Sequence, residues 1–278
     1  MNRREQQTLA TTIWQSKKGI AIPITFLVMF VSLTLLVCTT YFFAIDRISS
    51  ESSLLKVSAA KKGMFSFENS VASVTWSPGS SQIYYFGNYE GILTTAPEDK
   101  RLVINVTDGS FSDIVFNSTI GSVTYTLPAS SAQNEDFYPK GDSRVIVNQS
   151  ASTMTQLHIL MDTESQRIEL SYRPLASSSL ISSDNGKPVN NIRIYIVNLN
   201  SSQPFTFQGN FYVKVACINI TCTTRSYNFT DQITNLSVKS ILDGVSGTVR
   251  LPISSSEEGA IVDLEVVACN VQLQRTGV

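Results

Sequence analysis

The sequence predicts an α+β chain: one long N-terminal helix able to span a membrane, followed by an all-β, sandwich-like region. Three observations predict it. Residues 19–45 contain no charged side chain. Residues 46–75 place apolar side chains at three-, four- or seven-residue steps. From Trp76 onward the apolar period falls to two.

The apolar run reads GIAIPITFLVMFVSLTLLVCTTYFFAI. As a helix it is about 40 Å long at ~1.5 Å per residue, enough to cross a hydrocarbon core of about 30 Å. Ser32, Thr34, Thr39 and Thr40 interrupt it mildly, and their hydroxyls can bond back to helix carbonyls. Tyr41, Phe42 and Phe43 stand at its far end, where aromatic rings mark a membrane interface. Arg3, Arg4, Lys17 and Lys18 precede the run against a single acid, Glu5. Positive charge stays inside, so the expected topology is a single pass through the cell membrane, N-terminus cytoplasmic and β-region extracellular. The run is longer than a cleavable signal core, and no A-x-A follows it. A lipoprotein reading would use Cys38, but Val37 before it is not small.

Composition agrees with an exported β-protein. Charged residues are 15% of the 278, and 63 Ser and Thr fill polar positions instead. The net charge of −1 gives no basis for nucleic acid as a partner. His158 is the one histidine, which excludes any site built from two within a single chain. No G-x-S-x-G is present. His158 lies in a strand-like segment, and Asp162, Glu164 and Glu169 are the nearest approach to a glycosidase pair. Glu257-Glu258 reads as a solvated turn. The expectation is that the chain is not an enzyme and needs no cofactor or metal.

Lys17-Lys18-Gly19 followed by Ile20-Ala21-Ile22-Pro23 resembles the class III signal of type IV prepilins, archaeal ones in particular. The resemblance implies a prepilin-peptidase-like enzyme as partner, cutting between Gly19 and Ile20. The helix then stays in the mature chain, anchors it, and later packs into a filament with other subunits. Ile24 stands where bacterial pilins usually carry a glutamate, so the bacterial pattern is broken; Pro23 suits the archaeal one. An uncleaved signal anchor explains the same residues.

Ile48, Leu55, Ala59, Met64, Phe67, Val71 and Val74 form the second helical stripe, with a break expected near Gly63. Beyond it, period-two segments fall at 82–86, 102–107, 113–116, 122–127, 156–161, 167–172, 192–197, 211–216, 248–251 and 261–273. Turn signals separate them at Pro78-Gly79, Gly87-Asn88, Asp108-Gly109 and Asp184-Asn185-Gly186-Lys187-Pro188. Residues 128–134 read as a linker. The expected organisation is a leader (1–19), a transmembrane helix (20–45), a helical stalk (46–75) and two β-domains (76–129 and 143–278). A single large sandwich is the other reading. WSPGSSQIYYFGNYEGIL and RLVINVTDGSF, taken with the terminus, resemble uncharacterised archaeal secreted proteins that join a pilin-like helix to β-domains.

Seven N-x-S/T sequons fall on the exported side: Asn105, Asn117, Asn148, Asn200, Asn219, Asn228 and Asn235. Glycans there would solvate a low-charge surface. Cys217 and Cys269 each end an apolar strand, VKVAC and EVVAC, and Cys222 lies five residues after the first. One disulfide is expected among the three, Cys217–Cys269 favoured and a Cys217–Cys222 hairpin bridge the alternative. A pilin-like or pseudopilin-like structural and adhesive subunit is the leading expectation. A singly anchored extracellular binding protein that never polymerises is the second, and an exported β-sandwich enzyme the third.

Overall fold

The computed structural model describes residues 3–128, 136–148, 153–161, 165–184 and 186–276, with side chains from residue 23 onward. It divides into two compact units, Met1–Leu55 and Lys56–Val278. Helix α1 (Arg3–Val74) supplies the described residues of the first and opens the second. Among the described residues fourteen strands follow: β1 (Ser81–Phe86), β2 (Ile92–Thr107), β3 (Ser112–Pro128), β4 (Phe137–Lys140), β5 (Val147–Asn148), β6 (Thr155–Met161), β7 (Ser165–Tyr172), β8 (Leu175–Asp184), β9 (Lys187–Asn198), β10 (Phe205–Gln208), β11 (Phe211–Phe229), β12 (Asn235–Leu242), β13 (Val245–Pro252) and β14 (Ala260–Thr276). The expected fold class thus holds in its coarse form, one long apolar helix and a β-rich remainder.

The first unit is helical. Its described large apolar side chains, from residue 23 onward and among them Phe26, Phe30, Phe42 and Phe43, are exposed.

In the second unit, one sheet runs β1-β11-β14-β9-β8-β5. The other runs β13-β12-β2-β3-β7-β6-β4, with β10 also on β2. All described pairings are antiparallel except β14 with β9 and β5 with β8. The separate β-domains expected at 76–129 and 143–278 are therefore corrected. β1 pairs with β11, β2 with β12, and β3 with β7, so both sheets mix early and late strands.

The long strands serve two cores. On β14, Val262, Leu264 and Val266 face one core; Cys269, Val271 and Leu273, of opposite parity, face the other. β2 and β3 divide in the same way, Leu93 and Val123 lying in the core that contains α1, Ile104 and Ile120 in the second. Side chains of alternating parity point to opposite faces of a strand. Both cores draw on both sheets, which makes one β-unit where a sequential split was expected. β2 accommodates Pro97 by a register shift between Ala96 and Lys100, where a ladder N–H is not required.

The stalk expected over 46–75 is also corrected. Ile48 and Leu55 are exposed, but from Val57 the helix is a core element: Val57, Ala60, Met64, Phe67, Val71 and Val74 are buried. The true stripe is shifted from the expected one at its start, and helix α1 runs through Gly63 unbroken. Gly63 serves close approach instead. A β-carbon there would stand 2.8 Å from the Tyr89 ring, and the Tyr84 hydroxyl donates to the Gly63 carbonyl at 2.9 Å.

The turns behave as their residues dictate. Asp108 accepts the N–H groups of Ser110 and Phe111 at 2.9 and 2.7 Å, closing the β2–β3 hairpin around Gly109. Asp184 pairs with Lys187 across the β8–β9 turn; Asn185 lies outside the described residues, as do 129–134 of the expected linker. Glu257 and Glu258 are exposed in the turn closed by Ser256 and Gly259, as expected. Gly259 has φ +100, and a β-carbon there would stand 2.0 Å from the Phe229 carbonyl oxygen. Gly259→Ala is expected to cost about 1–3 kcal/mol from backbone conformation alone, with the carbonyl clash in addition. Urea unfolding of the variant measures it; an unchanged midpoint refutes it.

Candidate functional site

The first candidate is the apolar helix surface. α1 contains one stretch long and apolar enough to cross a membrane. Its hydroxyls are turned inward: Ser32 donates to the Met29 carbonyl at 2.9 Å, Thr34 to Phe30 at 2.8 Å and Thr39 to Leu35 at 2.7 Å, and Thr40 bonds to Leu36. The surface left is hydrocarbon. Gly19 and Ile20 lie within α1, in the part whose side chains are not described. The helix continues through Pro23, which has no N–H to donate.

The second candidate is the cysteine pair. β11 and β14 are neighbours, with Cys217 opposite Val271 and Ile220 opposite Cys269, and a bulge between Cys217 and Asn219. The two cysteines are thus diagonal partners beside the bulge. Their Sγ atoms are 3.4 Å apart, both buried and both thiols. The turn after α1 lies against them: the Trp76 N–H points at Cys269 Sγ (3.4 Å), Gly79 N–H donates to the Cys217 carbonyl, and Cys217 N–H donates to Ser80. Burial pushes the Cys269 thiol up to about 12. Cys222 is exposed and on the same strand as Cys217. Five residues of extended chain separate them by about 16 Å, which rules out the hairpin bridge.

The sequons spread over the β-unit. Asn117, Asn219, Asn228 and Asn235 are exposed; Asn105, Asn148 and Asn200 are half-buried. Asn117, Asn219 and Asn228 accept hydrogen bonds through Oδ1, from Arg101, Asn270 and Lys187 respectively. In Asn105 and Asn235 the amide nitrogen, where a glycan would attach, donates to a hydroxyl.

Polar groups that the sequence did not single out lie inside the β-unit. Arg173 is fully buried. It donates to the carbonyls of Thr153, Asp142 and Arg144 and pairs with the Asp142 carboxylate. Arg144 first, then Arg173, holds that carboxyl well below the usual carboxylate range. Glu68, buried on α1, accepts from Thr155 at 2.7 Å and pairs with Lys140. Tyr172 is buried beside them, and desolvation, then Glu68 and Cys269, raise its phenol. An arginine or glutamate inside a core leaves no periodic signal, so nothing in the sequence marked them.

His158 stacks on Tyr138 with ring centroids 4.0 Å apart, and burial lowers its pKa. Glu169, opposite it on β7, is paired with Lys100. Asp162 and Glu164 lie outside the described residues. Among the described residues no three His, Cys, Asp or Glu side chains group as metal ligands. A cavity of about 380 Å³ opens between Arg144–Asn148 and the β13 segment 245–249.

Comparison with protein-family models, curated proteins and solved structures finds no match for this chain.

Proposed function

We propose that this chain is a pilin-like or pseudopilin-like surface subunit, held in the membrane by the 20–45 helix and presenting its β-unit outside the cell. The observation that carries the reading is the exposed hydrocarbon surface of α1 with its hydroxyls satisfied along the helix. Such a surface requires lipid or other helices around it. The charge-then-Gly junction ahead of it supports cleavage between Gly19 and Ile20, and the positive flank supports an inside N-terminus. Seven sequons without a fully buried asparagine are consistent with a glycosylated exterior.

The expected mature N-terminus is Ile20, and Gly19→Val blocks processing. Peptide mapping of the membrane-embedded protein tests this; recovery of residues 1–18 in it defeats the cleavage. Assembly has a separate test. Transfer from lipid to a helix bundle gains little hydrophobic free energy, so packing shape decides it. Ala21→Trp should leave insertion intact and abolish self-crosslinking in cells. If the unaltered chain already crosslinks only as a monomer, the protein is a singly anchored binding protein. Phe30→Asp should impair both states, by roughly 2.5–3.5 kcal/mol on insertion scales.

A further inference from the structure

A disulfide needs sulfur atoms about 2.05 Å apart and Cα atoms about 4.4–6.8 Å apart. Cys217 and Cys269 sit on hydrogen-bonded neighbouring strands, diagonal across the bulge, with Sγ atoms 3.4 Å apart. Diagonal neighbours stand roughly 7–8 Å apart, at the edge of the disulfide range, but the Sγ atoms already approach to 3.4 Å, so the bond closes by side-chain rotation and a small local shift at the bulge.

We propose that Cys217 and Cys269 become a disulfide in the mature protein, installed by exchange with an oxidised dithiol protein before the end of α1 docks. One cysteine thiolate attacks the partner's disulfide, forms a mixed disulfide and releases one partner thiol. The second cysteine then attacks the mixed disulfide, forms the Cys217–Cys269 bond and releases the other. Two electrons and two protons pass from this chain to the partner.

The order follows from burial. In the folded unit both thiols are at most 1% exposed, and the Trp76 turn lies against them. The thiolate is the attacking species, and the Cys269 thiol is pushed up to about 12. A protein oxidant reaches the pair only while that turn is open. Closed over the bond, the turn then shields it from reductants. The bond ties β11 to β14 at the point where Gly79 and Ser80 attach, so it secures the corner joining α1 to the sheet. Cys222 stays a thiol.

The proposal rests on the β-unit geometry and on the extracellular placement proposed above, an oxidising exterior, and its test separates the two. Full chain from cell membranes is alkylated, digested without reduction and mapped by mass spectrometry. Lys214 and Arg225 enclose Cys217 and Cys222 in one tryptic peptide, so Cys222→Ser is mapped beside the unaltered chain. The expected result is a peptide linked to Cys269, two hydrogens lighter, in both chains, with Cys222 alkylated in the unaltered one. Loss of the link in Cys222→Ser overturns the assignment, as does alkylated Cys217 with alkylated Cys269. Refolding the reduced chain with oxidised glutathione then locates a failure. A bond formed there but missing from cells overturns the oxidising exterior; no bond in either overturns the geometry. Reduced chain that is already folded should oxidise at least about ten-fold more slowly than the same chain in denaturant. Equal rates overturn the order of events.

Discussion

Replacing Arg173 with methionine is expected to destabilise the β-unit by about 1–3 kcal/mol, the cost of taking a donor away from buried backbone acceptors. The guanidinium serves Thr153, Asp142 and Arg144 through their carbonyls, and it also meets the Asp142 carboxylate. Gln156 donates to the carbonyls of Asp142 and Arg144 at 2.7 and 3.1 Å, so residues 142–144 are held by two side chains, one on β6 and one just past β7. Methionine fills much of the volume but takes this donor from the Thr153 carbonyl and one of two donors from the Asp142 and Arg144 carbonyls. Urea unfolding of Arg173→Met gives the number. A loss below about 1 kcal/mol means the segment is held by other contacts. The linked pH dependence has a definite sign. The Asp142 carboxyl is depressed on folding, so its contribution is present above the ordinary carboxylate pKa and lost as pH falls below that value. Asp142→Asn should remove this part of the acid sensitivity; an acid limb identical to that of the unaltered chain counts against it.

Phe67→Ala is expected to cost about 3–5 kcal/mol, whereas Phe30→Ala leaves the β-unit stability unchanged. Both phenylalanines are on α1. Phe67 is fully buried, with ring centroids 5.6 Å from Tyr84 and 5.1 Å from Phe86. Phe30 is exposed. The contrast tests whether the end of α1 is part of the core or a stalk leading to it. Thermal unfolding followed by near-ultraviolet circular dichroism reads the aromatic packing directly. Equal and small effects at the two positions would restore the stalk.

The helix and its hydrocarbon surface were legible because they depend on near neighbours in sequence. Charge exclusion from 19–45, hydroxyls bonding to carbonyls three or four residues back, and the spacing of Met64, Phe67, Val71 and Val74 are local properties. Turns at Asp108-Gly109 and Asp184–Lys187 were legible for the same reason. β12 carries such a local pattern too, and the expected segments omit it: Leu236, Val238 and Leu242 alternate toward the core. β8 had no such pattern, since LASSSLISSD is largely exposed and owes its place to pairing with β9.

By itself, the sequence determined an apolar helix, a charge asymmetry across it, and a β-rich remainder with a Ser/Thr surface. Only the tertiary structure decided that early and late strands share both sheets, and that α1 from Val57 onward is core. It also brought Cys217 to Cys269, 52 residues along the chain, and left Cys222 aside. The physical reason is range. Helix formation and turn closure satisfy backbone groups within a few residues, so the local pattern carries them. Strand pairing satisfies them with partners far along the chain, and many registers fit one alternation of side chains. Burial of Arg173 and Glu68 depends on that long-range choice, because a charge enters a core only where distant groups are already placed to receive it.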